Sequence, residues 1–246
     1  MGIDLHQQSI QKNIQYWHQK PLLQKLYVDF YRLIAQHLSS LPDAKIVELG
    51  SGLGNIRDVI PSCLRTDLFP NPWIDQVENA YKLSFEDETI SDLILTDVFH
   101  HLRYPGTALQ EFARVLRKGG RVLMLEPYMS VLGLLVYGIP HDEPIAIIKK
   151  IEWKAPTGWS PENIDYYAAQ GNVTRIFVGN KFRHRLADWQ KIETIRLSAI
   201  AYAASGGFSK PQLYPTSMLP VIKKLERLLG LFPTLFATRV LVILEK

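Results

Sequence analysis

Ile46-Val47-Glu48-Leu49-Gly50-Ser51-Gly52-Leu53-Gly54-Asn55 reads as a short apolar strand that enters a turn with three glycines and leaves it as a helix start. Glycine has no Cβ, so the backbone can turn sharply there and a ligand can approach it closely. A helix that begins just after such a turn presents unpaired N–H groups and the positive end of its dipole. Together these make a seat for the polar part of a nucleotide-like ligand. The spacing separates the alternatives. The glycines fall as G-x-G-x-G, with Glu48 two residues ahead of the first. The dinucleotide fingerprint is G-x-G-x-x-G, so a nucleotide-dependent oxidoreductase is disfavoured.

Strands and helices alternate on both sides of this turn. Upstream, Tyr16, Leu22, Leu23, Leu26, Phe30, Leu33, Ile34 and Leu38 recur at helical spacing, interrupted by Pro21. Downstream, a short helix is expected from Asn55 to Pro61, a strand over 62–67, and a third strand over 74–78. Leu93-Ile94-Leu95 is the apolar run of a buried parallel strand over 91–98. A helix over 104–116 stops at Lys118-Gly119-Gly120, and 121–126 is the next buried strand. Residues 128–190 break the alternation with an apolar run followed by a segment rich in Trp, Tyr, Pro and Gly, read as a lid over the open end of the sheet. A strand over 192–200, an amphipathic helix over 219–231 and a final strand over 240–244 complete the chain. This alternation predicts an α/β sandwich, with a mostly parallel sheet covered on both faces.

The chain has 246 residues, enough for one substantial core, with residues 1–42 as an N-terminal helical cap. Hydrophobic content of 47% and charged content of 21% are those of a soluble globular protein. The net charge of +4 is spread along the chain and carries no clear nucleic-acid signature. A single cysteine, Cys63, cannot form an internal disulfide, and no Cys/His cluster has zinc spacing, so no metal is expected. A reducing, cytoplasmic compartment fits, since Met1 to Lys20 is polar and lacks the apolar core of a signal peptide. The apolar run Met129–Ile139 is too short to span a bilayer.

The glycine stretch resembles the cofactor loop of class I S-adenosylmethionine-dependent methyltransferases, in which E/D-x-G-x-G-x-G is the usual form. Three further elements match the small-molecule "type 11" branch in order. They are the acidic strand end at Asp67, the strand ending Thr96-Asp97-Val98 before Phe99-His100-His101-Leu102, and Arg114-Val115-Leu116-Arg117-Lys118-Gly119-Gly120 before a buried strand. The resemblance covers residues 44–127 and extends more weakly to the final strands. It implies a Rossmann-like, seven-stranded sheet with its last strand antiparallel, and S-adenosylmethionine as cofactor with S-adenosylhomocysteine as product. It also implies roles by position. Gly50, Ser51, Gly52, Gly54 and Asn55 would approach the methionine and ribose portion, with Glu48 setting the turn. Asp67 would accept from the ribose hydroxyls, Leu68 would pack on adenine, and Asn79 and Ala80 would lie beside it. Thr96, Asp97 and Val98 would line the floor. The family's helix after Asp67 has no room here, because Pro70 and Pro72 stand in its place. Either the chain omits that helix or the third strand starts elsewhere.

Methyl transfer from a sulfonium is an in-line displacement in which positioning supplies much of the rate. A base is needed only when the nucleophile arrives protonated. His100 and His101 after the fourth strand, and Glu126 and Tyr128 after the fifth, are the candidates, with core packing and strand capping as the competing readings. His141, Asp142 and Glu143 are titratable residues of the lid. Tyr16 and Trp17 are candidates to close over the sulfonium or to pack between helices. The aromatics Trp153, Trp159, Tyr166, Tyr167, Phe177, Phe182 and Trp189 are candidates to stack on a ring or to build a small core. Arg175, Lys181, Arg183, His184 and Arg185 are the densest basic group, suited to a phosphate or carboxylate. The apolar stretches 129–139 and 219–236 point to a greasy acceptor or a peripheral membrane-surface contact. The expectation is O-methylation of a small-molecule or a sugar- or lipid-linked acceptor. The alternatives are an RNA or protein methyltransferase, which lacks its N-P-P-Y motif here, and a non-catalytic cofactor-binding protein.

Overall fold

The computed structural model describes residues 3–138, 144–162 and 166–246, with side chains from residue 10 onward. Seven strands form one sheet: β1 (Ile46–Leu49), β2 (Leu64–Asp67), β3 (Gln76–Val77), β4 (Ile90–Thr96), β5 (Leu116–Pro127), β6 (Lys191–Leu197) and β7 (Arg239–Glu245). Their order across the sheet is β3-β2-β1-β4-β5-β7-β6. The pairings of β3, β2, β1, β4 and β5 are parallel, and β7 runs antiparallel between β5 and β6. The expected seven-stranded sheet with an antiparallel last strand is therefore present.

β1, β4 and β7 read as unbroken apolar runs because both faces of the sheet are covered. Alternate residues serve opposite layers. Val47, Leu93, Val122, Met124 and Val242 face helix α3 (Pro105–Val115), through its Leu109, Phe112 and Val115. Ile46, Ile94, Leu123, Leu241 and Ile243 face helix α2 (Pro21–Ala35), through Leu23, Tyr27, Phe30, Tyr31 and Ile34.

That second layer differs from the sequence expectation. The helix expected over 55–61 is a single 3₁₀ turn, Asn55–Asp58, and no helix stands between β2 and β3. β3 itself is two residues long where five were expected. The missing cover is supplied by α2, which is one layer of the sandwich. Ahead of it, helix α1 (Ile3–Gln19) reaches toward the glycine turn with Ile10.

Residues between β5 and β6 include helix α4 (Val131–Gly138) and a π-helical turn at Thr174–Val178. Much of the aromatic content of this segment builds core, one of its two readings. Phe177, Phe182 and Trp189 are buried with the α3 layer, and Trp153 stacks on Phe182. Helices α5 (Ile200–Ala204), α6 (Leu219–Leu229) and α7 (Pro233–Phe236) lead into β7.

Candidate active site

Parallel strands deliver their carboxyl ends to one edge of a sheet, where open α/β folds bind ligands. The glycine turn, Asp67, Thr96–Val98, Glu126 and Tyr128 all lie at that edge. Arg239 joins them because β7 runs the other way and pairs Arg239 with Pro127.

The turn is held from below. Glu48 is buried on β1 and accepts from Tyr31 Oη at 3.0 Å and from Ser51 Oγ at 2.6 Å. It sets the turn directly through Ser51. Ser51 N–H donates to Thr66 O, and Gly52 N–H donates to Asp67 Oδ2 at 3.0 Å. Gly54 has φ +68°, and a Cβ there would lie 2.7 Å from Trp73 O, so only glycine fits. Gly52 also has a positive φ, yet a Cβ there would meet nothing nearer than Ile10 Cδ1 at 4.0 Å. The turn is therefore packed at Gly54 and open at Gly52.

Burial pushes the Glu48 carboxyl up to about 7, against the hydrogen bonds from Ser51 and Tyr31 that favour its charged form. Burial, with Glu48 beside it, also raises the Tyr31 phenol. In the native state Glu48 thus keeps its proton above the usual carboxylate value of 4.5. Over that window the folded chain binds more protons than the unfolded one, so this group's contribution to stability falls as pH rises from 4.5 toward 7. Glu48→Gln should flatten the urea-derived stability curve across that window. An unchanged slope would assign the dependence to other groups.

Asp67 is buried at the end of β2 and accepts from Gly52 N–H and Leu68 N–H. Leu68 is half-buried beside it. Asn79 is engaged in the protein: its Nδ2 donates to Pro161 O and its Oδ1 accepts from Tyr81 N–H. Ala80 packs against the α3 layer. Thr96 Oγ1 is a buried hydroxyl with no hydrogen-bond partner among the described residues, at the carboxyl end of β4. Val98 stands directly under Gly50.

Beyond the turn lies a charge network. Glu126 is fully buried, and its Oε1 accepts from Val98 N–H at 2.9 Å and Phe99 N–H at 2.6 Å. Its Oε2 lies 2.6 Å from His100 Nδ1. This contact pairs the imidazole with the buried carboxylate through Nδ1. The His101 ring lies 4.1 Å from that of His100, and its Nδ1 is 2.9 Å from Tyr167 O. Tyr128 is buried in the α3 layer, its N–H donating to Thr238 O.

Asp97 has φ +58°, uncommon for a residue with a side chain. It is held by a bidentate pair with Arg239, at 2.6 and 2.8 Å. Arg239 is 1% exposed and lies under the rings of Phe30 and Tyr202. Its burial alone would lower the guanidinium, but the Asp97 carboxylate holds it well above its ordinary value. Asp97, His100 and Glu126 bring three ligand atoms within 4.8 Å of one another. Both Asp97 oxygens already meet Arg239, and both Glu126 oxygens are engaged. Arg239→Met would strand Asp97. We expect a loss of about 3 kcal/mol, the low end for breaking a buried pair, because Asp97 keeps some contact with water. Asp97→Asn should recover part of it in the double variant. Urea denaturation reads both, and no loss in the single variant would make the pair energetically idle.

Other sequence candidates fall elsewhere. Tyr16 Oη donates to Ser209 O, and Trp17 stacks on Phe208, so both pack against the 205–210 turn. Lys20 anchors the same turn, donating to the carbonyls of Ser205, Gly207 and Lys210. Arg175 turns inward to Ala146 O and Asn172, whereas Lys181, Arg183, His184 and Arg185 are exposed, so the five form no single patch. Trp159 packs between Tyr81 and Tyr104. His141, Asp142 and Glu143 lie outside the described residues. Sequence reasoning missed Arg239 and Tyr31. The available signals were an arginine heading an otherwise apolar strand and a tyrosine one helical turn after Tyr27.

Residues 47–124 match a family model described as a methyltransferase domain. No curated protein matches the chain. An S-adenosylmethionine-dependent methyltransferase from Thermotoga maritima superposes with a TM-score of 0.54 at 13% identity, over 97% of this chain and 99% of that one. One from Archaeoglobus fulgidus gives 0.53 at 12% identity, over 91% and 94%. Geranyl diphosphate C-methyltransferase from Streptomyces coelicolor, solved with its diphosphate substrate and S-adenosylhomocysteine, gives 0.50 at 13% identity, over 90% and 79%. At these identities the likeness is one of fold.

Proposed function

We propose that this chain, whose residues 47–124 match a methyltransferase-domain model, transfers a methyl group from S-adenosylmethionine to an oxygen of a small-molecule or a sugar- or lipid-linked acceptor. The observation that carries the reading is the glycine turn, closed by protein at Gly54 and open at Gly52. Its surroundings fit the cofactor. Asp67 is a buried carboxylate at the end of β2 beside the turn, and Thr96 Oγ1 is a buried hydroxyl with no partner among the described residues.

S-adenosylmethionine, when bound, supplies a methyl group already activated on a sulfonium. The chain's own residues supply position and proton transfer. Glu48 and Ser51 fix the turn, and Asp67 ties it to β2 while holding the ribose. Arg239 pins Asp97 at the floor. Glu126 holds His100 through Nδ1, and His100 takes the proton of the acceptor hydroxyl as the oxygen becomes a nucleophile. Glu126 is a positioning residue, since all its contacts are to the protein.

Calorimetric titration tests the cofactor. S-adenosylmethionine and S-adenosylhomocysteine should bind and NADH should not. Asp67→Ala should weaken binding by about 1.5–3 kcal/mol, the scale of charge-assisted hydrogen bonds. Binding of NADH alone would overturn the reading, and an unchanged Asp67→Ala affinity would move the ribose contact elsewhere.

A further inference from the structure

The C-terminal helices carry more apolar surface than the core uses. On α6, Leu219 and Ile222 turn inward onto Leu22, Leu26 and Tyr214, and Glu226 is buried on the same side. Val221, Leu225 and Leu228 recur at i, i+4 and i+7, and they are 63%, 46% and 59% exposed. At 3.6 residues per turn, this second stripe lies about 125° around the helix from the first. Leu231, Phe232 and Leu235 extend the exposed apolar surface past the end of α6 and onto α7. α7 packs against α4, which adds exposed Val131, Leu134 and Leu135. From Pro127 to Gly138 there is no charged residue.

The exposed charges of α6 itself are cations, with Lys223 paired to Asp29 of α2. Between Ala199 and Thr238 stand the cations Lys210, Lys223, Lys224 and Arg227, and the single acid Glu226. Glu226 faces inward and accepts from Ala201 N–H at 2.7 Å. Lys224 and Arg227 are exposed and lie between the two stripes of α6. Neither pairs with an acid among the described residues.

We infer that the exposed face of α6, α7 and α4 docks on a lipid bilayer surface bearing anionic headgroups. The leucines and Phe232 enter the headgroup boundary while Lys224 and Arg227 meet the phosphates beside it. A second copy of the chain fits less well. An isologous contact would bring the same basic row against itself with no exposed acid on α6 to answer it. No helix among the described residues is long and apolar enough to cross a membrane, so the face lies on the bilayer.

The placement gives this face a purpose. α4 follows β5 and α7 leads into β7 at the edge that carries Asp97, His100 and Arg239. Tyr137 of α4 donates to Thr238 O, beside Arg239. An amphiphilic acceptor held at the bilayer surface would then present its polar end to the site. This extension to the acceptor rests on the methyl-transfer reading, whereas the docking does not.

Sedimentation of the full chain with vesicles tests the docking. Vesicles of phosphatidylcholine containing phosphatidylglycerol should carry the protein down, pure phosphatidylcholine should do so more weakly, and salt should remove the difference. The double variant Leu225→Glu with Leu228→Glu should bind at least about tenfold more weakly, a scale set by moving two apolar side chains out of contact. Both positions are exposed, so its melting temperature and its S-adenosylmethionine titration should match wild type. Those controls separate failure of docking from failure of the cofactor reading. The inference is overturned by no sedimentation with either vesicle or by undiminished binding of the double variant. It is equally overturned by wild-type self-association that the double variant abolishes, which would place a second copy on the face.

Discussion

Gly52→Val should leave a folded protein that no longer binds S-adenosylmethionine. The residue has φ +53°, and the space beyond its Cα is bounded by Ile10 Cδ1 alone, at 4.0 Å. The left-handed conformation costs a branched side chain roughly 1–2 kcal/mol, which the native state can absorb. The added methyls then stand where the cofactor backbone must approach. Affinity should fall at least about 100-fold, or about 2.7 kcal/mol. Calorimetry with S-adenosylhomocysteine measures it, and a thermal melt confirms the fold. Wild-type affinity in this variant would remove the glycine turn from the binding seat.

His100→Gln should lower kcat by about 10²–10⁴-fold on a hydroxyl acceptor, the range for loss of a positioned base. The Michaelis constant for S-adenosylmethionine should stay near wild type, because His100 is not placed in its seat. The deficit should shrink as pH rises, since a hydroxyl that ionises by itself needs no base. Glu126→Gln should give a partial loss with a shifted pH profile, as expected when the imidazole is present but no longer paired with a carboxylate. A pH-independent deficit of equal size in both variants would mean that the pair only holds the β4–β5 junction together.

The parts of this fold legible in the sequence are those encoded locally. Leu93-Ile94-Leu95 and Val240–Leu244 announce buried strands, because both faces of the sheet are covered and no polar alternation interrupts them. The glycine spacing around Gly52 marks the turn because backbone geometry admits little else there. The layer beneath the turn was not legible. Pro70 and Pro72 leave open whether the helix is omitted, and say nothing of α2, some 35 residues upstream, covering the sheet in its place. Nor could spacing reveal Asp97 with Arg239, whose contact spans 142 residues. Tyr16 and Trp17 show the same limit: their aromatic character was plain, but their partners Ser209 and Phe208 lie near the far end of the chain.

The order β5-β7-β6 sets a schedule for the chain as it is made. The strand that emerges last occupies an interior place. Until it arrives, β5 has an open edge and β6 has nothing to pair with. An open, apolar edge of this kind invites pairing with other chains. The contacts that close it join distant parts of the sequence and form slowly. A ribosome stalled before residue 239 would therefore hold an aggregation-prone intermediate, and a tag or truncation at β7 should cost solubility before it costs anything at the glycine turn.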